Sequence, residues 1–295
     1  MNKKSKVVGI GEILWDVFPD HKRLGGAPTN FAFHAHQLGA DAWPVSSIGS
    51  DALGQEVLQQ LISLGMESTY VNVSERHPTG VVEVILNAGK PSYQIHENVA
   101  WDHIPFTEAL RELAESLDAV CFGSLAQRSE ESRETIQSFL SHVRADAIKI
   151  FDINLRQAFY NRALIEESLE QANILKLSDE ELPTLAEYFA LEGMVEEQLR
   201  KLLQMFTLRM VAFTRGAEGS LLVTPEGKDD FAGCECQVVD SVGAGDSFTA
   251  SLCTGLLKGW PLNEVNAFAN QVAAFVCSQK GATPILPDNL VNFRN

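Results

Sequence analysis

The chain has 295 residues, of which 45% are hydrophobic, so it can bury a full core and is not a disordered chain. Its 23 Lys and Arg against 39 Asp and Glu give a formal net charge of −16. This charge argues against broad binding to nucleic acids or membrane surfaces, because both are anionic. No uncharged apolar run approaches the ~20 residues of a membrane span. We therefore expect neither a nucleic acid nor a membrane as a partner.

Strand-like apolar runs alternate with helical patterns along most of the chain. The sequence predicts strands at 6–12, 118–123, 147–154, 173–178 and 208–216, and helices at 28–40, 54–65, 129–144, 179–190, 194–206 and 262–279. This alternation is typical of a parallel sheet with helices on both faces. Ligands of such folds bind beyond the carboxyl ends of the strands, so the residues that follow the strands are the first candidates for a site.

Residues 79–97 break the alternation. They contain two β-like runs around a turn at 87–91, with no helix between them, and so predict a hairpin outside the main sheet. Such a hairpin could serve as a lid or a dimer contact, and an extension of the sheet edge is the alternative. We expect a single domain over residues 1–295 with a small β appendage.

The cysteines point to a reducing compartment. Cys121, Cys253 and Cys277 lie in apolar surroundings that are typical of reduced core thiols. Cys234 and Cys236 form a lone C-x-C without the second pair that a zinc site needs. The apolar run near the N-terminus meets Glu12 too early for a signal-peptide core. We therefore expect a cytoplasmic protein.

A glycine-rich turn precedes a long helical pattern in residues 240–259. Gly243, Ala244 and Gly245 allow backbone N–H groups to converge, and the helix N-terminus adds positive partial charge, so the turn can hold an anion. Asp246 lies at the start of that helix and could accept the proton of a hydroxyl that attacks a phosphoryl group. The alternative is an ordinary turn in which Asp246 caps the helix.

A second glycine turn lies in residues 25–40. Gly25 and Gly26 allow a close approach of the backbone to a ligand, and Asn30 can direct its amide at the hydroxyls of a substrate. The alternative is a plain turn with Pro28 in the first turn of a helix. His34 and His36 are two positions apart on the predicted helix and do not share a face, so we expect structural histidines.

Together, GG-x-x-x-N at 25–30 and D-x-x-GAGD at 240–246 resemble the two signatures of the PfkB (ribokinase-like) carbohydrate kinase family. The resemblance spans nearly the whole chain. It implies a three-layer α/β/α sandwich with a mainly parallel central sheet, and a small β-sheet lid formed by about 12–26 and 77–104. It also implies a small-molecule sugar and ATP as ligands, Mg²⁺ as a cofactor and K⁺ as a further candidate, and it leaves open a homodimer.

The resemblance assigns roles to the residues around the two turns. Asp246 would be the catalytic base, and the backbone of Gly243, Ala244 and Gly245 would hold the phosphoryl charge. The segment GEILWD (11–16) is similar to the first strand of the family, which leads to a sugar-binding aspartate. The residues implied for the sugar are Asp16, Gly26, Asn30 and Arg156. Arg156 closes the segment FDINLR, similar to a D-x-N-x-R of fructokinases, and a surface salt bridge is its alternative.

Two further segments resemble the nucleotide side of the family. TRGAEGS (214–220) is similar to a T-x-G-x-x-G turn, which implies Thr214, Gly216 and Gly219 as nucleotide contacts. LKLSDEEL (175–182) matches an N-x-x-E position with Ser178 in place of the asparagine, a form associated with fructokinase-like members. Asn270, on the helical run 262–279, would approach the adenine.

Metal positions follow from the same resemblance. Glu181 would position Mg²⁺ through water, and a solvated helix face is the alternative. Asp240 and Val242, with Ala282 nearby, could offer oxygen atoms to a monovalent cation.

The activity that the resemblance implies is phosphoryl transfer from ATP to a sugar hydroxyl. Fructose is the first expectation because GEILWD, GGAPTN and YQIHENVAWDHI (93–104) look like the fructokinase branch. A 2-keto-3-deoxygluconate kinase and a ribose or nucleoside kinase are the alternatives. No G-x-x-x-x-G-K-[ST] occurs, and Gly243-x-Gly245 lacks the third glycine of a dinucleotide fingerprint, which excludes a Walker-type ATPase and disfavours a dehydrogenase. A non-catalytic sugar or nucleotide sensor is the alternative from another class.

Overall fold

The computed structural model describes residues 4–87 and 90–294, and only the backbone of residues 84–87 and 90–93. The strands are β1 (Lys6–Ile10), β2 (Leu14–Val17), β3 (Lys22–Gly25), β4 (Asp41–Gly49), β5 (Val71–Ser74), β6 (Gly80–Asn87), β7 (Lys90–Ile95), β8 (Ala119–Phe122), β9 (Ile148–Asp152), β10 (Ile174–Ser178), β11 (Met210–Thr214), β12 (Ser220–Val223) and β13 (Lys228–Phe231). The helices are α1 (Ala27–Gln37), α2 (Ala52–Ser63), α3 (Glu108–Ser116), α4 (Glu130–His142), α5 (Arg162–Gln171), α6 (Leu182–Phe189), α7 (Val195–Met205), α8 (Ala244–Leu257), α9 (Leu262–Cys277) and α10 (Asp288–Val291). Short 3₁₀ turns span Ala100–Asp102, Leu125–Arg128 and Gly216–Glu218.

Within these ranges, a nine-stranded sheet forms the centre of the molecule, in the order β13-β12-β11-β10-β9-β8-β1-β4-β5. The neighbouring strands from β11 across to β5 are parallel, whereas β12 pairs antiparallel with both β11 and β13. The predicted parallel sheet is thus confirmed, and its carboxyl ends meet at one edge. The antiparallel strands β12 and β13 were not predicted, because both are only four residues long and a short turn joins them.

Helices cover both faces of this sheet, as the alternation predicts. On one face, Val7 and Cys121 pack with apolar residues of α1 and α8, such as Phe31 and Phe248. On the other face, Val8 belongs to a larger cluster with apolar residues of α3 to α7. Adjacent residues of a strand point to opposite faces, so β1 is buried on both sides. The result is a three-layer α/β/α sandwich.

A separate four-stranded sheet, in the order β3-β2-β6-β7, accompanies the sandwich within the described part of the chain. The predicted hairpin is confirmed, because β6 and β7 pair antiparallel from Val82–Ile95 to Asn87–Lys90. The centre of its predicted turn, residues 88 and 89, lies outside the described residues. Between β1 and α1, the chain adds β2 and β3, and β2 runs parallel to β6. This small sheet packs through Trp15 and Leu24 onto a cluster that includes Leu61 of α2.

The prediction of buried core thiols is confirmed for Cys121 and Cys253 but not for Cys277. Cys121 and Cys253 are buried free thiols, and Cys277 is half-buried. Burial raises the pKa of Cys253 to about 12, so this thiol is inert at neutral pH. No helix in the described ranges is long and apolar enough to cross a membrane.

Candidate active site

The turn before α8 forms a backbone cradle at the carboxyl edge of the main sheet. Gly243 precedes the helix in the left-handed conformation, with φ of 80°. A Cβ atom on this glycine would lie 2.6 Å from Cα of Ala282, so neither the conformation nor the space admits a side chain. The N–H groups of the first helical turn have no acceptor within the helix, and they carry its positive partial charge. This geometry can hold an anion.

Asp246 and Asn30 bring the two glycine turns together. Asp246 lies in the first turn of α8, and its Oδ2 accepts a hydrogen bond of 2.8 Å from Nδ2 of Asn30 on α1. The Oδ1 atom of Asn30 is buried and has no partner. The sequence treated these residues as members of separate motifs, and the structure places them in direct contact. The unpartnered oxygen leaves an acceptor for a hydroxyl group.

The pKa of the Asp246 carboxyl lies not far below neutral pH. This pKa is raised to about 6, chiefly by burial and in part by the charge of Asp152. The hydrogen bond from Asn30 and the positive charges of Lys176 and Arg156 act in the opposite direction. Above this pH the carboxylate is ionised and can accept a proton, which a general base requires. A simple helix-capping role does not account for the bond to Asn30.

A buried ion pair lies behind the cradle. Nζ of Lys176 donates to Oδ1 of Asp152 at 3.0 Å, and the hydroxyl of Thr249 donates to Oδ2 at 2.8 Å. A Cβ atom on Gly245 would lie 3.1 Å from Nζ of Lys176. Burial alone would lower the pKa of Lys176, but the carboxylates of Asp152 and Glu181 outweigh it and raise this pKa. A fixed positive charge therefore lies beneath the anion cradle.

Sequence reasoning missed Lys176. The available signal was a lysine in the middle of an apolar strand, since a buried lysine is rare unless it is paired. Asp152 is likewise a charged residue in a mostly apolar strand, at the end of β9. Neither residue has a role that can be identified without the contact between them.

Gly25 and Gly26, the two glycines before α1, pack closely against other residues of the protein. A Cβ atom on Gly25 would lie 2.5 Å from Oδ2 of Asp16, and one on Gly26 would lie 2.2 Å from the carbonyl oxygen of Glu12. Gly26 also has φ of 113°, which side chains rarely adopt. The sequence anticipated close approach of this backbone to a ligand. The structure shows that Glu12 and Asp16 leave no room for a side chain at either glycine, and contact of this backbone with a ligand stays a prediction.

Asp16 projects from β2 of the small sheet into the same region. Burial raises its pKa to about 6, while Arg156 and Arg23 lower it and Asp240 raises it. Arg156 also lies within electrostatic range of Asp246. Asn30 thus contacts the predicted base, and Arg156 lies within electrostatic range of both Asp246 and Asp16.

Arg156 follows a strained loop. Asn154, two residues earlier, adopts the left-handed conformation with φ of 42°. Arg156 is exposed, and its guanidinium donates to the carbonyl of Leu155 at 3.2 Å. Arg156 has no ion pair among the described residues, but its charge lies within electrostatic range of Glu12, Asp16 and Asp246. A contact of Arg156 with the sugar or the phosphate stays a prediction.

Glu181 connects two loops. Its Oε1 accepts a bond of 2.9 Å from the N–H of Leu155, and its Oε2 accepts one of 2.7 Å from the N–H of Ser178. The alternative of a solvated helix face is therefore wrong. No cluster of three or more His, Cys, Asp or Glu side chains suited to a metal lies in the described ranges. A role of Glu181 in holding Mg²⁺ through water stays a prediction.

The nucleotide-side predictions form a second group. Ser178 and Thr214 are register partners at the ends of β10 and β11. Gly216, with φ of 54°, has open space around it. Gly219, with φ of 82°, packs so tightly on β13 that a Cβ atom would lie 2.0 Å from the carbonyl oxygen of Phe231. The turn thus offers a backbone surface beside two strand ends.

Asn270 belongs to a buried polar network on α9. Its Nδ2 donates to the hydroxyl of Ser220 at 2.7 Å and to the carbonyl of Asn266 at 2.9 Å. These bonds join α9 to the first residue of β12. Contact of Asn270 with adenine stays a prediction.

Asp240 connects the small sheet to the loop before α8. Its Oδ2 accepts from Arg23 of β3 and from the N–H of Gly281 at 3.1 Å, and its Oδ1 accepts from the N–H of Val242 at 3.1 Å. Burial would raise the pKa of Asp240, but these N–H groups and Arg23 outweigh it and lower the pKa. A monovalent cation at Asp240 stays a prediction.

His34 has the structural role that the sequence predicts. It is fully buried, and its Nε2 donates to the carbonyl of Ala282 at 2.8 Å. Burial lowers its pKa to about 4, so the ring is neutral. This bond holds α1 against the segment that packs on Gly243.

Comparison with known proteins shows the family and the fold of the chain. A fructokinase of Escherichia coli is 28% identical over 96% of this chain and 96% of its own length. The structure of aminoimidazole riboside kinase from Salmonella enterica, complexed with aminoimidazole riboside and an ATP analog, is 26% identical with a TM-score of 0.80, and covers 98% of this chain and 99% of that one. The structure of an ATP-bound fructokinase from Xylella fastidiosa has a TM-score of 0.87 at 21% identity, over 97% and 96% of the two chains, and shows the ribokinase-like fold. The profile of the pfkB family carbohydrate kinases matches residues 11–289, and the chain belongs to this family of carbohydrate kinases.

Proposed function

We propose that this carbohydrate kinase transfers the γ-phosphate of ATP to the 6-hydroxyl of fructose. The single observation that carries the proposal is the hydrogen bond between Asn30 and Asp246 at the start of α8. It places a hydroxyl-binding amide, a buried carboxylate and an anion-binding turn in one location. Phosphoryl transfer to a sugar needs these three groups together.

Asp246 acts as the general base. Its raised pKa of about 6 keeps it ionised at neutral pH, yet basic enough to take the proton of the attacking hydroxyl. Asn30 holds the carboxylate through Nδ2 and presents its free Oδ1 to a sugar hydroxyl. Asp16, Gly26 and Arg156 complete the sugar site from β2, the first turn of α1 and the loop after β9.

The backbone N–H groups of Gly243, Ala244 and Gly245 stabilise the charge that develops on the transferred phosphoryl group. Lys176 adds a fixed positive charge from behind Gly245. Mg²⁺ bound with ATP would neutralise phosphate oxygens, and Glu181 would hold it through water. Ser178, Thr214, Gly216, Gly219 and Asn270 form the nucleotide side of the site.

The small sheet acts as a lid over the sugar. Asp16 comes from this sheet, and the ion pair between Arg23 and Asp240 ties the sheet to the loop before α8. Exclusion of water from the site limits the hydrolysis of ATP. The same sheet is our candidate for a homodimer contact, to be checked by the mass of the protein in solution. The free thiols fit a cytoplasmic location.

Fructose is preferred over other sugars for two reasons. The segments FDINLR and GEILWD resemble those of fructokinases, and relatives over nearly the full chain carry that name. A ribose or nucleoside acceptor is the second candidate, since the related Salmonella structure binds aminoimidazole riboside. A 2-keto-3-deoxygluconate acceptor is the third.

A sugar panel with ATP and Mg²⁺ tests the proposal, with kcat/KM measured for each acceptor. We expect fructose to give the highest value. A higher value for ribose, a nucleoside or 2-keto-3-deoxygluconate would reassign the substrate. Sugar binding without any phosphoryl transfer across the panel would favour a non-catalytic sensor.

A further inference from the structure

Glu12 is a buried carboxyl next to the proposed reaction centre. It follows β1, and only 3% of the residue is exposed. Such a residue is rarely buried without a partner for each oxygen, because an unpaired polar atom is costly. The reaction described above gives this side chain no role.

Glu12 is attached to the start of α1 through three contacts. Its Oε1 accepts a bond of 3.2 Å from the N–H of Ala27, the first helical residue. Its carbonyl accepts a bond of 3.2 Å from the hydroxyl of Thr29. The same carbonyl lies against Gly26, which has no room for a side chain. These contacts fix the first turn of α1.

Asn30 lies in this first turn and holds Asp246. A shift at Ala27 would therefore move Asn30, and with it the carboxylate of Asp246. Small displacements of a base cost much of its effect, because proton transfer needs a close and directed contact. Glu12 is thus two contacts removed from the reacting atoms.

The second oxygen of Glu12 is unusual. Oε2 is buried and has no hydrogen-bond partner. The charged groups within electrostatic range of the carboxyl are Asp246, on α8, and Arg156, in the loop after β9. The pKa of Glu12 is raised to about 7, chiefly by burial, and the charge of Asp246 contributes to this increase. The backbone hydrogen bonds of Glu12 and Ala27 and the charge of Arg156 oppose it. A proton on Oε2 would remove the cost of a second buried negative charge beside Asp246.

We propose that Glu12 is a positioning residue of the phosphotransfer site. Oε1 fixes the first turn of α1, and hence Asn30 against Asp246, while Oε2 carries the proton that lets Asp246 alone be ionised. This inference rests on the proposed function for its kinetic consequences, whereas the protonation of Glu12 can be tested without any activity.

The kinetic test uses Glu12→Ala and Glu12→Gln, with Glu134→Gln on the exposed face of α4 as the matched control. Glu12→Ala loses the bond to Ala27, so kcat with the best sugar should fall roughly tenfold or more while the KM for ATP stays within about twofold. Glu12→Gln keeps the acceptor and should restore kcat to within ~threefold of wild type. Wild-type kcat in Glu12→Ala, or loss in Glu12→Gln as large as in Glu12→Ala, would overturn the positioning role.

The second test measures the melting temperature at pH 5 and pH 8 for wild type and Glu12→Gln. The pKa of Glu12 is raised from 4.5 to about 7 in the folded protein. Wild type therefore loses stability relative to the glutamine variant as the pH rises through this window. We expect Glu12→Gln to melt higher relative to wild type at pH 8 than at pH 5. A difference independent of pH would overturn the protonated state, whatever the sugar assay shows.

Discussion

The two sides of the site differ in how their polar groups are satisfied. On the α1–α8 side (Glu12, Asp16, Asn30 and Asp246), the three carboxyls have raised pKa values, and Glu12 and Asn30 each keep a buried oxygen without a partner. On the β10–β11 side (Ser178, Thr214, Gly216 and Asn270), Asn270 is bonded within the protein, and Gly216 faces open space. We propose that the first side makes directed hydrogen bonds to the substrate, and that the second side contacts the nucleotide through its backbone and its shape.

Among the tests of this contrast, Asp246→Asn has the largest expected effect. The amide cannot accept a proton at neutral pH, so kcat should fall by at least roughly 10²-fold. The KM for ATP should change little, because the proposed nucleotide contacts lie on the β10–β11 side. Steady-state kinetics with both substrates varied would measure this. Asp288→Asn, an exposed change on α10, is the control, and near-normal turnover of Asp246→Asn would contradict the assignment of the base.

Gly26→Ala tests whether the start of α1 tolerates any side chain. A Cβ atom there meets the carbonyl of Glu12 at 2.2 Å, and φ of 113° is unfavourable for alanine. We expect the free energy of unfolding to fall by about 1–3 kcal/mol and the KM for the sugar to rise. Gly227→Ala, where a Cβ atom meets open space, should change neither. Equal urea denaturation curves for the two variants would refute the packing argument.

The pH profile tests the shared ionisation of the acidic side. The pKa values of Asp246 and Asp16 are each about 6, so both carboxyls are protonated below this value. For each carboxylate that must be ionised, kcat/KM should drop about tenfold per pH unit below pH 6. A drop in kcat/KM steeper than tenfold per pH unit would show that Asp16 must also be ionised. A flat profile down to pH 5 would argue against Asp246 as the base.

The smallest expected effect concerns the ion pair between Arg23 and Asp240, which joins the small sheet to the loop before α8. Arg23→Gln removes the ion pair with Asp240, which is partly exposed. Such a pair should contribute less than ~1 kcal/mol, so the KM for the sugar should rise by less than about fivefold. If the predicted monovalent-cation position exists, added K⁺ should activate this variant more than wild type, because Asp240 loses its guanidinium partner. Equal K⁺ responses of the two proteins would place any cation elsewhere.

Sequence patterns predicted much of this structure because they are local. The alternation of strands and helices, the hairpin and the two glycine turns depend on residues that are neighbours in the chain. The roles expected for Asp246 and Asn30 came instead from the resemblance of both turns to one family. Lys176 and Arg23 did not stand out in the sequence, since their roles depend on distant contacts. The Arg23–Asp240 pair joins residues 217 positions apart, and no spacing rule reveals it. The free Oε2 of Glu12 likewise exists only once the fold has buried it.

The carboxylate of Glu181 holds the loop of Leu155 with one oxygen and the loop of Ser178 with the other. The first loop leads to Arg156 and the second borders the nucleotide side. A ligand that orders either loop therefore orders part of the other. The first ligand to bind bears the cost in conformational entropy, and the second ligand binds to a loop that is already ordered. We expect synergistic binding, in which saturation with a nucleotide analogue tightens the dissociation constant for the sugar, and the sugar tightens that of the nucleotide by the same factor.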